Sequence, residues 1–270
     1  MDLGIKDLRV LVTAGAGGIG LEIARAFARE GAKVHICDVD AAALAAAKKS
    51  DPQLTQSVCD VADRGQVAKL FDDAFKVLGG LDCLVNNAGI AGPTGKVEEI
   101  NPEDWDRCLA IDITGQFNCV RLAVPHLKQS KNASIMNLSS QAGKHGFPLR
   151  SAYAAAKWGV IGFTKSIAIE LGGFGIRVNA LLPGYVAGDR IRRVIEAKSQ
   201  ERHVVQGAGS SDAPLRVDQG LRDAPAAGRH GRLHVEPARQ DHLRPGHLGV
   251  RRYQYAWLIC GVRPCGSDPV

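Results

Sequence analysis

The stretch SAYAAAKWGV (151 to 160) sets Tyr153 four residues ahead of Lys157 in a run of small apolar residues. Side chains at i and i+4 stack on one face of a helix, so the phenol and the ammonium share a surface. Taken alone, such a pair has two open readings. It is a solvated helix edge, or it is a site where a phenol exchanges a proton with a bound reactant under the influence of a cation.

A second stretch, TAGAGGIG (13 to 20), lies between an apolar run and a helical one. Glycines there let a backbone approach a pyrophosphate and leave a helix N-terminus open to an anion. An ordinary strand-to-helix loop is the alternative. The next apolar run ends in Asp38, whose carboxylate suits an adenosine ribose hydroxyl and repels the additional phosphate of NADP. Neither Gly17 nor Val39 is a cation that would offset that repulsion, so NAD is favoured over NADP. A solvated strand-end acid is the other reading of Asp38.

The elements that must position these groups alternate along the chain. Apolar runs of strand length occupy 8 to 13, 33 to 38, 55 to 61, 81 to 89, 134 to 139 and 176 to 183. Helical spacing fills 18 to 31, 41 to 50, 64 to 79, 102 to 129 (read as one long helix), 151 to 172 and a segment near 188 to 200. Six apolar strands separated by helices predict an α/β fold, a doubly wound parallel sheet of the Rossmann type with helices on both faces. With 270 residues, 45% hydrophobic and 23% charged, the chain suits a single domain of this kind.

The start of the chain has no basic segment followed by an apolar one, and no run of about 20 apolar residues occurs. A cytoplasmic protein without membrane contact is expected. The seven cysteines form no C-x-x-C pair and no cluster with histidine at zinc spacing, so no metal site is expected and the thiols read as reduced, buried, small hydrophobes.

In the order TAGAGGIG, CDV (59 to 61), NNAG (86 to 89), SSQAG (139 to 143), YAAAK (153 to 157) and PG (183 to 184), the chain resembles the short-chain dehydrogenase/reductase family over residues 6 to about 200. The resemblance implies hydride transfer between a nicotinamide cofactor and a secondary alcohol, polyol or ketone. It implies that Ser140 orients the substrate oxygen, that Tyr153 exchanges the proton, and that Lys157 holds the nicotinamide ribose and tunes the tyrosine. Gly15, Gly17, Gly18, Ile19 and Gly20 would cradle the cofactor. Asp60 and Val61 would lie by the adenine, Asn87, Ala88 and Gly89 along the cofactor, and Pro183, Gly184 and Val186 beside the nicotinamide. Pairing into a homodimer or homotetramer through the helices at 102 to 129 and 151 to 172 is implied as well.

The chemistry explains the residue types. A free tyrosine titrates near about 10 and is a poor base at neutral pH. An ammonium at about 6 Å, with an effective dielectric of about 20, favours the phenolate by roughly 3 kcal/mol. The alanines keep the helix narrow, so cofactor and substrate can reach the pair.

Three positions depart from the commonest family form. Ala14 replaces a glycine, which is tolerable where φ is negative. Asp112 replaces an asparagine that helps hold a relay water near the lysine. A carboxylate accepts but cannot donate as an amide does, so Asp112 reads either as a relay member of the catalytic set or as a plain buried acid. Gly188 lacks a hydroxyl common at that place. The loop at 143 to 152 should line the substrate pocket, with Lys144, His145 and Arg150 as solvated charges on its rim.

The last seventy residues differ in kind. Residues 201 to 270 hold ten Arg, five of the eight His and no Lys, whereas residues 1 to 200 mix 11 Arg with 13 Lys. The tail lacks helical or strand period, holds no Lys and, before residue 253, lacks the interleaving of basic and aromatic residues that a nucleic-acid surface would carry, so no nucleic-acid partner is expected. Back-translated with chosen synonymous codons and read one base later, RQDHLRPGHLGVRRYQY (239 to 255) gives a string containing ISGQAISVCG, close to the strand the family would supply there. The expectation is a catalytic unit over 1 to 200 and an atypical segment over 201 to 270 that is read in a shifted frame. The competing function is a dinucleotide-binding protein that has lost turnover and serves in binding or assembly.

Overall fold

A computed structural model describes residues 3–184 and 194–197. Its strands are β1 (Arg9–Thr13), β2 (Lys33–Asp38), β3 (Thr55–Val58), β4 (Cys83–Asn86), β5 (Ser134–Leu138) and β6 (Arg177–Leu181). Its helices are α1 (Gly18–Arg29), α2 (Ala41–Ser50), α3 (Arg64–Leu78), α4 (Pro102–Leu109), α5 (Gly115–Leu127) and α6 (Ser151–Gly172).

Apolar runs without polar alternation bury both faces of a strand, and helices must then cover both sides. The described strands form one parallel sheet in the order β3-β2-β1-β4-β5-β6. Val10 and Val12 of β1 pack with Ala24 of α1 and Leu44 of α2, whereas Leu11 between them faces the opposite core with Leu70 of α3 and Val120 of α5. The chain direction of winding reverses between β1 and β4. In open α/β sheets the crevice beyond the carboxyl ends of the strands at such a point is where ligands bind.

Three expected strands stop short by two residues or more, among them β6, which ends at Leu181. Strand β3 ends at Val58 and β4 at Asn86, which leaves Cys59 to Val61 and Asn87 to Gly89 as loops on that carboxyl rim. The single helix expected over 102 to 129 is present as α4 and α5, which a π turn over Ala110–Thr114 joins without leaving helical backbone. Such turns admit an additional residue and re-aim a side chain, here Asp112, whose Oδ1 accepts from the Ile90 N–H at 2.6 Å. Cys37, Cys59, Cys83, Cys108 and Cys119 are buried free thiols. No helix among the described residues is long and apolar enough to cross a membrane. The expected helix near 188 to 200, apart from the helical residues 194–197, and the tail from 201 lie outside the described residues.

Candidate active site

The first βα turn is tight because two of its glycines have no room for a side chain. A Cβ on Gly15 would stand 2.7 Å from Ile36 Cβ, and one on Gly20 would stand 2.2 Å from the Ala14 carbonyl oxygen. Gly17 and Gly18 differ, since a Cβ on either meets nothing within 4 Å. Gly17 is the N-cap of α1, no side chain caps that helix, and its first turn holds no acid. The leading N–H groups of this twelve-residue helix are therefore left without a side-chain acceptor, which suits an anion such as a pyrophosphate. Ile19 follows in the first turn of α1.

Ala14 does not meet the condition of a negative φ, since its φ is 48°. A methyl group in the left-handed region costs about 1 kcal/mol. The turn is braced from β4. Asn87 Nδ2 donates to the carbonyls of Thr13 and Ala14 at 3.0 and 2.9 Å, and Thr13 Oγ1 accepts from the backbone N–H groups of Asn87 and Ala88. The Asn87 amide is thus spent on the turn itself. Thr13 was missed in the sequence, although a hydroxyl closing an otherwise apolar strand was the available signal.

Asp38 sits at the carboxyl end of β2 beside this turn. Its Oδ2 accepts from Ala16 N at 3.3 Å and its Oδ1 from Asp40 N at 3.2 Å, which leaves further lone pairs on both oxygens. Asp60 Oδ1 accepts from Ala62 N at 2.9 Å. Val61 is buried, packs over Gly115, and its carbonyl accepts from Asn118 Nδ2 at 3.0 Å.

Across the switch point, the end of β5 and the start of α6 are tied together. Ser139 Oγ donates to the Lys157 carbonyl at 2.8 Å, and Gly143 has no room for a Cβ, which would meet that same carbonyl oxygen at 2.7 Å. This holds Ser140 against the helix that carries Tyr153. Ser140 Oγ accepts from Ala142 N at 3.2 Å, so its own hydrogen is left to donate elsewhere. Gln141 N donates to the Pro183 carbonyl at 3.1 Å, which brings Pro183 and Gly184 to the same loop. Val186 and Gly188 lie outside the described residues.

Lys157 is buried, and its Nζ lies 5.5 Å from the centroid of the Tyr153 ring. It donates to the Leu138 carbonyl at 3.2 Å. Asp112 is fully buried, with Oδ2 3.2 Å from Lys157 Nζ, close enough for ion pairing but without hydrogen-bond alignment. Asp112 is therefore a buried acid in direct contact with the lysine, an arrangement common to both of its readings. A Cβ on Gly89 would come within 3.1 Å of Lys157 Nζ and 3.2 Å of Asp112 Oδ1, a tight contact that the pair would have to shift to admit.

Arg150 is a second correction. Lys144 and His145 are exposed as expected, but Arg150 is 2% exposed. Its guanidinium carbon stands 4.8 Å from the Tyr153 ring centroid and 5.8 Å from that of Phe147, and Nη2 donates to the Ala91 carbonyl. A guanidinium is weakly hydrated and stacks on aromatic faces, which is how this cation is accommodated inside.

The family whose sequence model matches is described as short chain dehydrogenase, and the match spans residues 9–199. The chain belongs to this family. A 2-dehydro-3-deoxy-L-rhamnonate dehydrogenase (NAD(+)) of a Sphingomonas species is 40% identical over 173 residues, which cover 64% of this chain and 70% of that protein. A D-beta-hydroxybutyrate dehydrogenase of Cupriavidus necator is 36% identical over 203 residues, covering 72% and 76%. A solved structure of NAD+-bound xylitol dehydrogenase superposes with a TM-score of 0.70 at 31% identity, covering 73% of this chain and 77% of that one. Family and fold thus agree with the sequence motifs and with the parallel sheet.

Proposed function

We propose that the protein is an NAD-dependent dehydrogenase that transfers a hydride between NAD(H) and a secondary alcohol, polyol or ketone. The observation that carries this reading is the buried ammonium of Lys157, 5.5 Å from the Tyr153 ring centroid and on the same rim as the open turn at Gly17 and Gly18. When bound, NAD supplies the hydride acceptor, and reduced NAD the donor.

The α1 N-terminus with Gly17 and Gly18 would hold the pyrophosphate, and Asp38 the adenosine ribose. A fixed carboxylate at that position disfavours a phosphate, which supports NAD over NADP. Ser140 would direct its hydroxyl hydrogen to the substrate oxygen, because its lone pair is already engaged by Ala142 N. Tyr153 would take the alcohol proton in oxidation and return it in reduction. Lys157 would stabilise the phenolate through space. The relatives named above act, by their names, on hydroxyl-bearing compounds, which supports the substrate class. Purified protein supplied with NAD+ and a panel of secondary alcohols and polyols should form NADH. Tight NAD+ binding without NADH from any of them would favour the reading of lost turnover.

The catalytic unit is proposed to end near residue 200, in keeping with a family match that stops at 199. An intact mass equal to that of the 270-residue chain would exclude a frame error in the written sequence. Phe117 of α5 and Trp158 of α6 are 42% and 52% exposed, which supports assembly of two or four copies through these helices. Light scattering of the pure protein gives the copy number.

A further inference from the structure

The buried pair behind Tyr153 carries a consequence beyond the family pattern. Asp112 is held by two contacts, the Ile90 N–H on Oδ1 at 2.6 Å and the Lys157 ammonium beside Oδ2 at 3.2 Å. Both side chains are almost wholly out of water, with side-chain exposures of 0% for Asp112 and 4% for Lys157. Charges in such a place are screened weakly, so a carboxylate that close cancels part of the field the lysine projects.

We propose that Asp112 is a positioning residue that reduces the charge Lys157 presents to Tyr153, so that proton exchange in this chain needs a more alkaline medium than it would with an uncharged residue at 112. Two cations stand near the Tyr153 ring, Lys157 from within α6 and Arg150 at its N-cap. The β5–α6 loop adds Ser140, with Lys144 and His145 exposed to solvent. From α4, the thiol of Cys108 packs behind Gly92, next to the base of the Tyr153 side chain. Asp112 is the anion in this set, and it acts on the phenol through the lysine.

This inference rests on the proposed role of Tyr153 but is readable without turnover. The test follows phenolate absorbance of the cofactor-free protein from about pH 6 to about pH 11, with the Tyr153→Phe spectrum subtracted to isolate one ring. Asp112→Asn keeps an acceptor for the Ile90 N–H while removing the charge. The Tyr153 signal should then appear about one pH unit earlier, a roughly ten-fold change in ionised fraction. Asp112→Ser removes the same charge with a smaller side chain and serves if the asparagine variant does not fold. The acidic limb of the rate of alcohol oxidation should move in the same direction. A signal that stays in place, or moves later, overturns the proposal. A shifted signal in a protein that oxidises no alcohol leaves this inference standing and sinks the dehydrogenase reading instead.

Discussion

At the amino ends of the strands, Arg9 of β1 donates through Nε and Nη2 to both oxygens of Asp82, whose Oδ1 also accepts from Ser130 at 2.6 Å. Arg177 of β6 donates to Asn132 on the same rim. At the carboxyl ends the polar groups are arranged otherwise. The α1 N-terminus has no capping side chain, Asp38 keeps spare lone pairs, and the Ser140 hydroxyl hydrogen is free to donate outward. The contrast repeats among helix starts. Asp40 and Asp63 each accept from two N–H groups to cap α2 and α3, while Gly17 offers α1 nothing. Where the fold needs only stability, donors and acceptors are matched internally. Around the proposed cofactor site, some are left over for a ligand.

The comparison can be broken at either rim. Asp82→Ala should cost about 3 kcal/mol in urea unfolding, because it strands the Arg9 guanidinium and Ser130, yet leave NAD+ affinity within about two-fold. Burial alone would raise the Asp82 carboxyl, but the bonds from Arg9 and Ser130 outweigh it and hold the group at about 2 against an ordinary 3.8. A carboxyl depressed in the folded state stabilises above its unfolded pKa. That contribution is lost as the pH falls from about 4 towards about 2, and the variant should lack this acid limb. A large loss of cofactor affinity in Asp82→Ala would contradict the division between rims.

Gly17→Asp tests the opposite rim. Its backbone is extended and its Cβ would meet nothing, so the aspartate fits and supplies the missing cap. Stability should rise by up to about 1 kcal/mol while NAD+ binding weakens on the order of 30-fold, since a carboxylate now occupies the anion site. Parallel melting and calorimetric titration would reveal whether the two effects separate. Ala14→Gly should have the smallest effect, a gain of about 1 kcal/mol from relief at φ 48°, with turnover unchanged.

Much of the fold was legible because local signals agreed with tertiary demands. The bounds of β2, α2 and α6 fall where apolar runs, alanine spacing and turn residues place them. The π turn at Ala110–Thr114 was not legible, since Asp112 within it pairs with the Ile90 N–H twenty-two residues away in sequence. Arg150 looked like a surface charge because, although Phe147 and Tyr153 lie three residues to either side of it, only the fold of the loop into α6 turns both rings towards its guanidinium. The left-handed backbone at Ala14 is fixed by the brace from Asn87 across the sheet. At the candidate site the sequence named Ser140, Tyr153, Lys157 and Asp112 together. Only the fold set the distance between the last two.

The most direct measurement is NADH formation from an accepted secondary alcohol by the wild-type protein and by Tyr153→Phe, with NAD+ affinity measured on both. Loss of the phenol should lower turnover about a thousand-fold and leave NAD+ affinity within about three-fold. Turnover that survives the substitution would contradict the assignment of the proton to Tyr153.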